Sequence, residues 1–375
     1  MEWSDAFRQI ASATSYHELF GPDAGDYAGQ VRRIYHQFAR VVHPDNFQGT
    51  EWYEQSAEVF ARLSQFYQQA LDMISQERYG EPVELIAWRS RKAAHSVRQR
   101  LGSGDICALY SAETQLMGEA NAQASICKVA KASADNDLLQ NEAAALRWLQ
   151  GSAMAEEVKI FFPVVLDSFS HRETGKPNRQ VNVLARLEGF YNLAQIRHWF
   201  PRGLPSVHMV WIWRKLLWTI GNAHRVGLIH GSVLPRHIMI LPEQHGVVLV
   251  DWCYASRAND SGVFPPVKAI VSEAKEWYPE EVFAKQPPSP ATDIAMAARC
   301  MVEILGGDPL TGNFAENTPV PRPFRAFFKG CLGRSQLARP QDALQLLGEF
   351  DQLLEGLGSP YYPRRFRTLD IPTSG

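Results

Sequence analysis

A change in the spacing of apolar residues constrains this chain more than any single motif does. Through the first eighty residues apolar side chains recur every three or four positions, between 100 and 188 they come in short runs, and from 206 the helical spacing returns. Helices, then strands, then helices predict a small all-α domain followed by an α+β domain with a strand-rich part and a helical part. DYAGQVRRIYHQFARVV (26–42) sets Val31, Ile34, Tyr35, Phe38 and Val42 on one helical face and Arg32, Arg33, His36 and Arg40 on the other. Pro44 biases His43 away from helical angles, so this helix must end at HPD. A second stripe, Val59, Phe60, Leu63, Phe66, Tyr67, Ala70 and Leu71, predicts a longer partner helix, and the two make an antiparallel hairpin that buries both stripes. Taken alone, the basic face reads as a solvated surface.

The order of features adds a second reading. SYHELFG (15–21), RRIYHQFARVVHPDNF, SAEVFARLSQFYQQALDMI and QERYG (76–80) follow one another like the opening helix, second helix with HPD loop, third helix and closing turn of a J-domain. Residues 14–80 resemble that family, and the first domain is taken as 1–80. The resemblance implies that His43, Pro44 and Asp45 dock on a DnaK-type chaperone and stimulate its ATPase, with Arg32, Arg33 and Arg40 steering the encounter. Val41 and Val42 stand where the family usually has a basic residue and an aromatic, which thins the basic patch and implies weaker affinity. A hairpin kept only as a docking module is the alternative.

EPVELIAWRSRKAAHSVRQR carries many Arg and Lys and few breakers besides Pro82, so 81–97 reads as a basic helical linker, solvated rather than bound to nucleic acid. LGSGDICALY (101–110) has the form GxGxxC; such glycines admit phosphates close to the backbone but also mark ordinary turns. SICKVAKAS (125–133) reads as a strand and LLQNEAAALRWLQ (138–150) as a helix, which makes Lys128 and Glu142 candidates for an ion pair between them. IFFPVVL (160–166) reads as a buried strand, and FFPVVLDSF and VNVLARLEG as two strands of a small sheet. SVHMVWIWRKLLWTIGNAHRVG predicts a long helix stopped at Gly227; SPATDIAMAARCMVEILGG predicts another with a Ser/Thr cap, and two helices close the region.

In this frame, residues 98–356 resemble the protein-kinase fold, with a small β-rich lobe over 98–188, a large helical lobe over 189–356 and a tail over 357–375. Gly102 and Gly104 match the glycine-rich loop, Lys128 the lysine that holds the α/β-phosphates, and Glu142 its partner. HGSVLPRHIMI (230–240) matches the catalytic loop, with His230 and Pro235 retained, and Asp251 of VDW the metal-binding aspartate. Pro279 and Glu280 fall at the end of the activation segment, Asp293 in the long central helix, and Arg339 matches the late arginine that pairs with the segment's glutamate.

The departures bear on chemistry. A kinase needs a carboxylate beside the acceptor hydroxyl, and Ser232, neutral at pH 7, stands in its place; losing such a base costs roughly 10²–10⁴ in rate. His237 replaces the asparagine that holds a second magnesium, and an imidazole is a poor ligand for an ion that wants hard oxygens. Leu234 replaces a polar loop residue, and Gly231 replaces the arginine that clamps a phosphorylated activation loop. The sequence therefore predicts a pseudokinase with no catalytic residues: His230, Ser232 and His237 form a degenerate loop. Nucleotide binding is a separate matter. Gly102, Gly104, Lys128, Glu142 and Asp251 remain to hold ATP and one magnesium at Asp251, while Lys128–Glu142 tying sheet to helix is an equal reading. Cys107 and Cys253, at glycine positions, restrict the backbone and favour a fixed conformation.

Composition sets the remaining bounds. Five scattered cysteines without a CxxC pair predict reduced thiols, and 38 basic against 40 acidic residues give no field toward nucleic acid or membrane. MEWSDAFRQI lacks a basic start with an apolar core, and no apolar run reaches a membrane span, so a cytoplasmic protein is expected. Two functions follow. One is a J-domain cochaperone or adaptor that recruits a DnaK-type chaperone and binds a protein client through the kinase-like domain, with no required cofactor. The other is an atypical ATP-dependent phosphotransferase with a substituted loop.

Overall fold

The computed structural model describes residues 3–13, 16–21, 27–50, 52–75, 79, 86–172, 175, 177–361 and 367–371. It is mixed α/β, and the chain divides into two compact units, Met1–Glu84 with Ile371–Gly375, and Leu85–Asp370. The division falls at 84/85 rather than at 80, and the second unit runs past the expected boundary at 356 to Asp370, with Leu369 buried and the Arg367 carbonyl bonded to His245 Nε2 at 2.9 Å. Among the described residues no helix is long and apolar enough to cross a membrane.

The first unit is helical: α1 (Trp3–Ser12), α2 (Tyr16–Phe20), α3 (Tyr27–Val42) and α4 (Tyr53–Ser75). α3 ends where Pro44 requires, and its stripe residues Val31, Phe38 and Val42 are buried with Val59, Leu63, Phe66 and Ala70 of α4. The core also takes Ala6, Phe7 and Ile10 from α1, an element the sequence left unread. Arg62 secures that helix: its Nε donates to Ile10 O at 3.0 Å and its Nη2 to Ala13 O at 2.8 Å, satisfying carbonyls that the helix end leaves open. The expected closing turn at 76–80 lies outside the described residues apart from Tyr79, whose hydroxyl donates to Gly21 O at 3.0 Å.

The second unit opens with a six-stranded antiparallel sheet in the order β1-β2-β3-β4-β6-β5. Its members are β1 (Ile86–Arg89), β2 (Ala93–Ser103), β3 (Cys107–Leu116), β4 (Gln123–Ala130), β5 (Val165–His171) and β6 (Arg179–Ala185). Between β4 and β5 come α5 (Asn136–Gly151) and the single turn α6 (Glu156–Lys159). The basic helical linker expected over 81–97 is thus corrected: residues 86–97 are strand and hairpin, and 81–85 lie outside the described residues. Ala93, His95 and Val97 are buried while Ala94, Ser96 and Arg98 are exposed, a period of two. With alanine and histidine supplying most of the inner face, the alternation hardly showed as hydrophobicity. His95 is buried at a polar position because Nδ1 meets Thr114 Oγ1 at 2.9 Å and Nε2 meets Asp167 Oδ2 at 3.0 Å. The buried strand expected at 160–166 is also corrected: strand begins only at Val165, because Pro163 has no amide hydrogen for a ladder. Phe161 and Phe162 close a turn, donating their amides to Val158 O and Lys159 O at 3.2 and 3.1 Å, and Ile160 is exposed.

Beyond the sheet, β7 (Tyr191–Asn192), α7 (Leu193–Trp199) and α8 (Ser206–Arg225) lead to β8 (Leu228–Ile229), β9 (Ile238–Leu241), β10 (Gly246–Leu249) and β11 (Ser256–Arg257). The helices α9 (Glu280–Phe283), α10 (Pro290–Ile304), α11 (Arg322–Cys331) and α12 (Ala343–Leu357) complete the unit. α10 is buried almost all round, and α12 comes so close to α8 that a Cβ on Gly221 would lie 2.7 Å from Leu344.

Candidate functional site

In the first unit, His43, Pro44 and Asp45 form the corner between α3 and α4, and Pro44 opens a short 3₁₀ turn. His43 Nδ1 accepts the Asp45 amide at 3.2 Å and its ring lies edge-on to Phe60, centroids 4.8 Å apart, so the loop has a fixed shape. Asn46 Nδ2 donates to Arg40 O at 2.8 Å, closing the end of α3. Asp45, Arg32, Arg33 and Arg40 are exposed.

In the second unit, β4, α5 and the turn after β10 bring three sequence-predicted residues together. Lys128 Nζ donates to Glu142 Oε1 and to Asp251 Oδ1, each at 2.6 Å. Burial alone would favour a neutral amine, but the charges of Asp251 and Glu142 hold the lysine well above its ordinary range. Glu142 is fixed on its other side by Asn182 Nδ2 at 3.0 Å, a β6 residue that also donates to Leu139 O of α5 at 2.7 Å. Asn141 Nδ2 donates to Cys253 O at 3.0 Å and Ala255 O at 2.9 Å, tying α5 to the turn after Asp251. Asn141 and Asn182 were not singled out from sequence; an asparagine in a helix or strand carries no signal of what its amide will reach.

The loop 230–237 is built around backbone partners. Asp293 of α10 accepts the amides of His230 and Gly231, each at 2.8 Å, and also meets His224 Nε2 at 2.9 Å. Gly231 has φ +74°, and a Cβ there would meet Tyr254 O at 2.9 Å, so the position in which the resemblance expected arginine admits only glycine without strain. His230 accepts the Ser232 amide at Nδ1 and donates from Nε2 to Val250 O at 3.0 Å, the pattern of a neutral ring; burial pushes its pKa down to about 4. His237 is held on both sides: Nδ1 lies 2.7 Å from Ser232 O and Nε2 3.0 Å from Asp251 Oδ2. Asp251 (φ +67°) lies between the Lys128 ammonium and the His237 ring; burial works against its charge, but Lys128 and His237 hold the carboxyl well below its usual range.

Ser232 is fully buried, and its Oγ shares a 2.7 Å hydrogen bond with the hydroxyl of Tyr278, which also accepts the Val271 amide at 3.0 Å. The segment before α9 is thus pinned onto the loop, and burial pushes the Tyr278 hydroxyl up to about 12. Arg339 makes its buried pair with Glu281, Nη1 to Oε1 2.7 Å and Nη2 to Oε2 3.2 Å, whereas Glu280 is exposed; the partner of the arginine is Glu281 and not the Glu280 read from the sequence. Gly102 lies in β2 and Gly104 in the hairpin turn that follows, where its amide donates to Cys107 O at 2.8 Å. Asp105 at the hairpin tip accepts the Ser272 amide at 3.3 Å, and Ile106 and Cys107 are buried beneath it.

Glu142, Asp251 and Cys253 place one ligand atom each within 4.8 Å of one another, but the Lys128 ammonium contacts all three, its Nζ 3.6 Å from Cys253 Sγ. Burial raises the Cys253 thiol well above its ordinary range, which keeps it protonated and a poor metal ligand. Both Asp251 oxygens are engaged, Oδ1 by Lys128 and Oδ2 by His237, and both Glu142 oxygens, by Lys128 and Asn182. No protein-family model matches this chain, and no curated protein matches it.

Proposed function

We propose that this protein is a J-domain adaptor: its first unit recruits a DnaK-type chaperone through His43, Pro44 and Asp45, and its second, of protein-kinase-like design, binds a client without phosphorylating it. The observation that carries the first half is the HPD corner, fixed by Phe60 and Asn46 while Asp45 and the arginines of α3 stay open to a partner. The silent second half is supported by Ser232, which is neutral, buried and already bonded to Tyr278 where an acceptor hydroxyl would need a base. Lys128 and Asp251 would hold the phosphates and one magnesium if ATP binds, with Glu142 orienting the lysine. That same trio favours the second reading, an atypical phosphotransferase.

Stimulation of a DnaK-type ATPase by the full chain, lost in His43→Gln with the melting temperature unchanged, is the expected result; a chain that gives no stimulation ends the adaptor reading. Thermal shift with ATP and magnesium tests the nucleotide site, since a ligand at a hundredfold excess over its Kd stabilises by about 2.7 kcal/mol. Lys128→Ala should abolish any shift. Phosphoryl transfer that survives Ser232→Ala and disappears in Asp251→Ala would establish the phosphotransferase instead.

A further inference from the structure

A cavity of about 460 Å³ opens on the second unit, lined by residues of α6, α8 and α12 and the turn after α6. Its apolar wall is Ile160, Phe161, Trp218 and Leu347, and two of these face solvent: Ile160 is 69% exposed and Trp218 39%. Single exposed apolar residues are ordinary, but a concavity that gathers several large ones marks a binding surface.

The charges lining it differ in how they are satisfied. Arg214 is held by Asp351 through two bonds, Nε to Oδ1 at 2.6 Å and Nη2 to Oδ2 at 3.0 Å. Lys215 has no carboxylate within 4.0 Å among the described residues; its ammonium lies 5.1 Å over the Phe161 ring instead. Lys215 is exposed; partial burial and the adjacent Arg214 charge push its pKa down. Glu157, exposed on the same lining, is the one acid there.

We propose that this cavity is the client site of the adaptor, and that its occupant is a peptide segment presenting a large apolar side chain with a single carboxylate beside it. The apolar side chain covers Ile160, Phe161 and Trp218, and the carboxylate pairs with Lys215. With Arg214 already paired to Asp351, Lys215 selects an acid over a base at that end, while Glu157 disfavours a run of acids or an anionic membrane. The inference rests on the second unit being a binding module.

The test is fluorescence anisotropy of the full chain with the labelled peptide Gly-Ser-Leu-Trp-Asp-Leu-Ser-Gly. Saturable binding is expected, weakened about tenfold or more by Lys215→Glu, Trp218→Ala and Ile160→Ser, three exposed positions whose melting temperatures check folding. The same peptide with lysine in place of aspartate should bind Lys215→Glu better than it binds the parent chain, a charge swap that a merely structural lysine would not produce. No saturable binding, or binding indifferent to all three substitutions, overturns the site. Loss of a dimer in Trp218→Ala would assign the face to a second copy, and Lys215-dependent binding to phosphatidylserine vesicles without peptide binding would assign it to a lipid surface; either overturns the proposal. ATPase stimulation measured on the parent chain separates the two ideas: stimulation without peptide binding removes the site alone, and peptide binding without stimulation removes the chaperone reading alone.

Discussion

Ser232 carries a neutral hydroxyl that the sequence discloses and a buried partner that it does not. Its lack of a carboxylate was legible in the sequence; its bond to Tyr278 was not, because the two are far apart in the chain and nothing marks either as buried. Ser232→Ala removes one hydrogen bond while Tyr278 keeps the Val271 amide, so a loss of about 1 kcal/mol is expected. Ser232→Asp should cost more, since it puts a carboxylate into a position with no solvent exposure beside a tyrosine held protonated up to about 12. Urea melts of the two variants with a γ-phosphate transfer assay decide it: a stable, active Ser232→Asp would make the serine a simple lost base. His230 gives a pH signature. Burial depresses it to about 4, so the native ring stays neutral where the unfolded ring, near 6.5, takes up a proton. The unfolded state then binds more protons, and stability falls as pH drops from about 6.5 to about 4, by about 3 kcal/mol from this group. Below that window Asp293 acts: burial opposes its charge, yet His224 and the His230 amide hold its pKa down, so its contribution is present above about pH 4 and lost as pH falls through its lowered value. Unfolding free energy at pH 7 and 4.5 should change less in His230→Gln than in the parent chain; equal changes would show that the ring does not titrate in this window.

At the scale of elements, period and punctuation carried far. α3, α4, α5, α8 and α10 lie where helical stripes and caps placed them, because long amphipathic runs bury one face whatever their neighbours. The pairing of α9 with the arginine near α12 shows the limit. Glu280 and Glu281 are equivalent as letters, but successive helical residues point about 100° apart, so only one can face Arg339. Glu281 is that one, and Thr292 at the start of α10 donates to it at 3.0 Å. Arg339→Ala leaves a buried carboxylate with a hydroxyl as its remaining partner and should cost about 3–5 kcal/mol, while Glu280→Gln, at an exposed position 4.0 Å from Arg334, should change stability by less than about 1 kcal/mol. Chemical denaturation of the two variants is the measurement. Equal effects would mean that the pair does not hold the segment to the helices.

For the whole molecule, the decisive question is where the second unit begins. Charge and few breakers made 81–97 look like a separable arm, whereas β1 is the edge strand of the sheet and the first half of β2 is paired between β1 and β3. β1 pairs with β2, and β2 with β3, Ala93 opposite Leu116 and Val97 opposite Ala112, and Trp88 and Val97 belong to the sheet's apolar cluster. A chain starting at 98 would lose Trp88, His95 and Val97 together. Asp167 and Thr114 would lose their bonds to the His95 ring, and the amides and carbonyls of β3 that face β2 would be left unpaired, an edge that invites pairing with other chains. A chain starting at 85 keeps every described strand and the whole of the second compact unit, Leu85–Asp370. Expressed separately, residues 85–375 should therefore be soluble, monomeric and cooperative in thermal melting, and residues 98–375 should aggregate or bind a hydrophobic dye at ambient temperature. Sedimentation and melting of the two fragments provide the comparison. Should 98–375 melt at the same temperature as 85–375, β1 and the start of β2 are an appended arm after all, and the buried His95–Asp167 contact contributes nothing to holding the sheet.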